Sequence, residues 1–191
     1  LQQAVAARPS AEWDEALGGV WITPEQFVTF IYNSLSGVDH YTAPAAGTIA
    51  AINRDMKRLA RSSEACRRLM TIPGVGQLTA LAFVAAIDEP ERFRRSRDVG
   101  AYLGLVPRRY QSGEVDYTGS ISKCGDRRVR TLLYEAAHVM LTRYRGKLAL
   151  KDWALDLGRR STMRKARIAL ARKLAIIMHA MLRHGTEFRA A

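Results

Sequence analysis

Apolar positions recur at helical spacing through most of the chain. From Val129 they fall at Leu132, Leu133, Ala136, Ala137, Met140, Leu141 and Tyr144, which is one face of a 3.6-residue helix. Asp126 stands where an N-cap belongs, so a helix is predicted over 125–144. A shorter one is predicted over 148–158 around Trp153 and Leu157. A long one over 162–184 turns Ile168, Ala171, Leu174, Ile177 or Met178, and Met181 inward, with His184-Gly185 at its end. Upstream, Ile49, Ile52, Met56 and Leu59 form a narrow stripe among Arg54, Lys57, Arg58 and Arg61. It predicts one or two helices over 48–70, either a coiled-coil-like seam or a surface helix. Thr23-Pro24-Glu25-Gln26 reads as a helix start, followed by Phe27, Phe30, Ile31 and Leu35 on one face and a linker from Tyr41 to Gly47. Only Glu114 to Ile121 alternates like a strand, with Gly113 and Gly119 bounding a hairpin. The expected fold is mostly α. A helical arm of unclear role spans 1–45, a helical connection 46–68 and one domain 69–191, with a small hairpin or loop inside that domain.

Composition fits one folded domain: 191 residues, 48% hydrophobic and 25% charged, which excludes compositional disorder. Two cysteines, Cys66 and Cys124, exclude a disulfide framework and a Cys-x-x-Cys zinc site. The longest apolar stretch, Leu78 to Ile87, is too short to span a bilayer, and no signal peptide is visible, so a soluble cytoplasmic protein is expected. Charge changes the picture more. Residues 1–107 carry eleven Lys+Arg and eleven Asp+Glu. Residues 108–191 carry nineteen and seven, so the whole net charge of +12 lies in the second stretch. A one-sided excess of this size attracts a polyanion, and nucleic acid is the expected partner. The alternative is a set of solvated basic helix faces.

Leu69-Met70-Thr71-Ile72-Pro73-Gly74-Val75-Gly76-Gln77-Leu78-Thr79-Ala80 has the form of a helix-hairpin-helix. Pro73 is expected to stop the first helix, and Gly74 and Gly76 permit positive φ and close backbone approach. The N–H groups at the start of the second helix can then bind a backbone phosphate. A purely structural turn is the other reading. Further on, Arg108-Arg109-Tyr110-Gln111-Ser112-Gly113 leads through Ser120-Ile121-Ser122-Lys123-Cys124-Gly125-Asp126 into Arg127, Arg128 and Arg130. Three arginines around a positive helix end hint at a nearby anion. A serine that attacks a phosphodiester needs such cations, and Arg108, Arg109, Lys123, Arg127 and Arg130 are candidates, with Gly113 leaving room for a DNA backbone. On spacing alone Ser112 also reads as an ordinary turn serine.

From Leu69 to Phe188 the chain resembles the C-terminal transposase domain of the DEDD-type insertion-sequence transposases of prokaryotes, a family of bridge-RNA-guided serine recombinases related to the pilin-gene invertases. The matching runs are Arg68 to Gly76, Arg92-Phe93, Ala101 to Pro107, Tyr110 to Gly113, Thr118 to Asp126, Arg130 to Ala137 and Ala169 to Ala175. The resemblance implies that Ser112 is the nucleophile joined to a DNA phosphate. It implies that Gly74, Gly76, Arg108, Arg109, Tyr110, Gly113, Lys123, Arg127, Arg128 and Arg130 lie along nucleic acid. It further implies a dimer or tetramer with a structured guide RNA, a nucleoid-associated setting, and Mg2+ held by a RuvC-like domain rather than by this chain. Residues 1–68 are too few for such a domain, and no acidic tetrad is found in them. The chain is therefore expected to be a piece of a longer protein or a truncated remnant, inactive alone. A non-catalytic binding module and an inert remnant are the competing readings.

Several suggestive residues are set aside. Asp152 and Asp156 read as a solvated, salt-bridged face, and Glu114 and Asp116 as hairpin polarity. His179 and His184 do not share a face, and His138 reads as a packed histidine.

Overall fold

The computed structural model of the chain describes residues 46–112 and 115–189. The arm at 1–45, with the helix predicted after Thr23, and the candidate Gly113 lie outside the described residues. The chain divides into two compact units at residues 59 and 60. Helix α1 (Ala46–Ser62) carries most of what is described of the first, including an Arg58–Asp55 ion pair one turn apart. The predicted 48–70 segment is two helices, because Ser63 leaves the helical conformation and its hydroxyl accepts from the Cys66 N–H to start α2 (Glu64–Leu69).

The second unit continues with α3 (Gln77–Ile87), a 3-10 turn (Pro90–Arg92), α4 (Asp98–Tyr102), strands β1 (Pro107–Ser112) and β2 (Val115–Ile121), then α5 (Arg127–Thr142), α6 (Ala149–Arg160) and α7 (Met163–His184). Apart from the two strands the described regular structure is helical, as the periodicity predicts. Helix α7 is the central element. Helices α2, α4, α5 and α6 and the 3-10 turn all pack on it, and α3 packs on α5. The predicted stripe Ala171, Leu174, Met178 and Met181 is buried, whereas Ile168 is only half-buried. Ala166, Leu170, Ala175 and His179 are buried as well, because neighbours on several sides need more than one apolar stripe.

The helix ends follow the local sequence. Asp126 caps α5, its carboxylate accepting from the N–H groups of Arg128 at 2.6 Å and Val129 at 3.2 Å. Thr162 caps α7, and Gly185 closes it at φ +62. Two expectations need correction. Helix α2 ends at Leu69, before Pro73, because the N–H groups of Thr71 and Ile72 turn back to the Arg68 and Leu69 carbonyls and tighten the chain out of the helix. Gly119 does not bound the hairpin. It lies within β2 beneath Tyr110, where a Cβ would press on the ring at 3.0 Å.

Candidate nucleic-acid interface

Strands β1 and β2 form an antiparallel ribbon with Tyr110 opposite Tyr117 and Ser112 opposite Val115. A register shift between Pro107 and Arg109 bends its base. Every residue of β1 is exposed. A lone two-stranded ribbon is marginal in water, so its order needs other support. Part of that support is on one face. The Tyr110 and Tyr117 rings stack with centroids 4.7 Å apart and planes 11° from parallel. Both stay 44% and 55% exposed, so the stack holds the strands together yet leaves aromatic surface for a ligand. Ser112 lies two residues from Tyr110 and so shares that face at the ribbon tip.

The ribbon is rooted where its two ends meet the helical body. The Ser122 N–H donates to the Val106 carbonyl at 2.8 Å, and the Lys123 N–H to Gly104 at 3.1 Å. Gly104 (φ +67) and Gly125 (φ +73) make this crossing possible. A Cβ on the first would strike the Cys124 backbone, and on the second the Tyr102 carbonyl. The Arg130 guanidinium closes the root, with Nη1 donating at 2.9 Å to both the Leu103 and the Cys124 carbonyls.

The candidate residues therefore fall into separate groups. Ser112, Tyr110, Arg108 and Arg109 ride on the ribbon, all exposed. Arg108 also donates from Nη2 to the Ser122 carbonyl at 3.3 Å. Lys123, in a left-handed conformation at φ +58, and Arg127 are exposed at the turn into α5. Arg128 is half-buried there, and Arg130 is engaged with the root. Gly74 and Gly76 sit elsewhere. Gly74 (φ +89) packs against the α5 backbone at Ala136 and Met140, about 14 to 20 Å along that helix from Arg127 at about 1.5 Å per residue. Gly76 begins α3 with open space around its Cα and no side-chain cap.

Other features bear on chemistry. Among the described residues no three His, Cys, Asp or Glu side chains converge to hold a metal ion. Asp156 pairs with Arg159 at 2.8 Å. Cys124 is exposed, whereas burial of Cys66 pushes its thiol pKa up. No described helix is long and apolar enough to cross a membrane. Charge counting does not single out Tyr117, Gly104 or Gly125. A tyrosine at a cross-strand distance from Tyr110, and two glycines flanking the segment, are the signals the sequence offers for them.

An exposed ribbon is thus rooted beside an arginine-rich helix start. Residues 66–153 match the family described as Transposase IS116/IS110/IS902 family. Among individual proteins, the chain is 38% identical to the Transposase for insertion sequence element IS1111A of Coxiella burnetii over 74% of this chain and 39% of that protein. It is 36% identical to the Transposase for insertion sequence element IS1328 of Yersinia enterocolitica, over 73% and 42%. It is 31% identical to a Pilin gene-inverting protein of Moraxella bovis, over 63% and 37%. The chain thus spans about two fifths of the length of these relatives.

Proposed function

We propose that this chain is the serine-bearing part of a DNA transposase or recombinase, and that Ser112 is its nucleophile. The observation that carries the reading is the placement of Ser112 at the exposed tip of a rooted ribbon, on the face of the Tyr110–Tyr117 stack. A phosphodiester can reach that hydroxyl without opening the core. The Ser112 Oγ gives its proton to water and bonds to phosphorus. The bond from phosphorus to one deoxyribose oxygen breaks, and that oxygen takes up a proton. The reverse attack by a sugar hydroxyl of another strand releases Ser112 and rejoins the DNA. Arg108 and Arg109 supply positive charge along the ribbon, with Lys123 and Arg127 at its base. Arg128 stands beside them, and Arg130 contributes by holding the root. Gly113, next to the serine, is assigned the close approach of the DNA backbone.

The open N-terminus of α3 at Gly76 suits a backbone phosphate, as in a helix-hairpin-helix, with Gly74 setting its angle through α5. In this reading the segment works as part of an oligomer, with a guide RNA and with Mg2+ held by a RuvC-like domain. The test is Ser112→Ala in a protein that includes a RuvC-like domain. Strand exchange and the covalent protein–DNA adduct should disappear while DNA affinity stays within about twofold, since the hydroxyl makes no large contribution to an interface held by phosphate contacts. Undiminished exchange by the variant would remove Ser112 from the chemistry.

A further inference from the structure

Residues 92–97 read Arg-Phe-Arg-Arg-Ser-Arg, preceded by Asp88, Glu89 and Glu91 and followed by Asp98. By sequence the segment is neutral, but among the described residues its arginines and acids do not form ion pairs. Arg92, Arg94, Arg95 and Arg97 are all exposed. The ion pairs found among the described residues are Arg58–Asp55, Arg68–Glu64 and Arg159–Asp156, so none of the four is neutralised by a described carboxylate within 4.0 Å.

The loop is pinned from below. His179 is fully buried on α7, and its Nε2 donates to the Pro90 carbonyl at 2.9 Å while its Nδ1 hydrogen-bonds the Ser96 hydroxyl at 2.9 Å. A carbonyl only accepts, so Nε2 carries a hydrogen. Phe93 packs edge-on against the same imidazole at 5.3 Å, and Arg183 donates to the Arg94 carbonyl at 3.1 Å. These anchors fix the loop's backbone while its four arginines stay at the surface, an arrangement open to a chain of negative charges.

The same loop adjoins the root of the ribbon. The Arg92 guanidinium lies over the Tyr102 ring at 4.9 Å, and the Tyr102 carbonyl abuts Gly125, in the turn that carries Lys123 into α5. Tyr102 is itself 44% exposed, so an aromatic surface adjoins Arg92. We propose that Arg94, Arg95 and Arg97 form a second binding site for a phosphodiester backbone, joined through Arg92 and Tyr102 to the cations at Lys123 and Arg127. The site extends the nucleic-acid footprint to a part of the chain with no net charge, and it does not depend on Ser112.

The experiment measures binding of the 191-residue chain to duplex DNA and to a structured RNA over a salt series. In the variant Arg94→Gln/Arg95→Gln/Arg97→Gln, affinity should fall at least about tenfold at low salt. The slope of log K against log salt on duplex DNA should become shallower by about 2 to 3, at about 0.9 for each phosphate that the variant leaves unneutralised. A fall on DNA alone, on RNA alone or on both supports the site and identifies which backbone it holds. The control Arg143→Gln/Arg145→Gln/Lys147→Gln removes equal charge from another exposed segment and should change the slope by less than about 1. An equal change in the control, or an unchanged slope in the loop variant, overturns the proposal. So does an equal fall in affinity for polyglutamate, which would make the loop a surface for acidic protein. The charge-keeping variant Arg94→Lys/Arg95→Lys/Arg97→Lys should retain the slope, and a shallower slope there would assign the effect to folding instead. Strand exchange is not read in this assay, so failure of the Ser112 assignment leaves its outcome intact.

Discussion

Leu170, Leu174 and Met178 on α7 have no exposed surface, whereas every residue of β1 is exposed. The helical body is ordered by apolar burial from several sides. The ribbon is ordered by its ends, through two glycine crossings, the Arg130 clamp and one pair of stacked rings. The body therefore supplies stability and a fixed base, and the ribbon supplies polar and aromatic surface that folding does not consume. A region with little core of its own is where a ligand can supply the remaining contacts.

Three substitutions test that division. Leu174→Ala should have the largest effect, about 2–5 kcal/mol of lost stability in denaturant unfolding, because it empties the centre of the body. A decrease below about 1 kcal/mol would mean that α7 is not the hub described. Gly125→Ala should cost roughly 1–3 kcal/mol, since alanine is strained at φ +73 and its Cβ meets the Tyr102 carbonyl. Its signature is regional. Amide exchange should quicken in β1 and β2 while α5 and α7 stay protected, and uniform loosening of both would erase the distinction. Tyr110→Ala should be the mildest, about 0.5–1.5 kcal/mol from removal of the stack, with Tyr110→Phe close to the parent. The readout is the Tyr117 ring environment by NMR, with the unfolding midpoint of the body almost unmoved.

The helices are legible in the sequence because their signals are local. Asp126, Thr162 and Gly185 mark ends that the chain obeys, and the α5 stripe reads directly off the sequence. Where several elements converge the pattern weakens. His179, which shares no face with His184, is a buried anchor for residues 83 to 89 positions away in sequence, a relation no local pattern carries. Pro73 suggests a helix stop that the chain makes at Leu69, because two tight backbone turns act first. By sequence Gly74 is open to a phosphate, but its close approach is to α5, which only the packed structure reveals. Charge counting has the reverse fault. Averaged over 107 residues, the arginines at 94, 95 and 97 vanish against acids, although among the described residues none of those acids pairs with them. Ser112 and its neighbours carry a strong motif, yet the tyrosine stack beside them depends on a cross-strand register that composition does not reveal.

The root of the ribbon also bears on how such a protein can change over time. Gly104, Gly125 and Arg130 fix where the two strands leave the body, and Pro107 to Ser112, Tyr117 and Gly119 to Ile121 all lie outside the buried core. At the exposed positions of β1 away from Tyr110, substitutions can therefore be sampled with little penalty in folding. The ribbon's surface can then vary while the body beneath it stays the same.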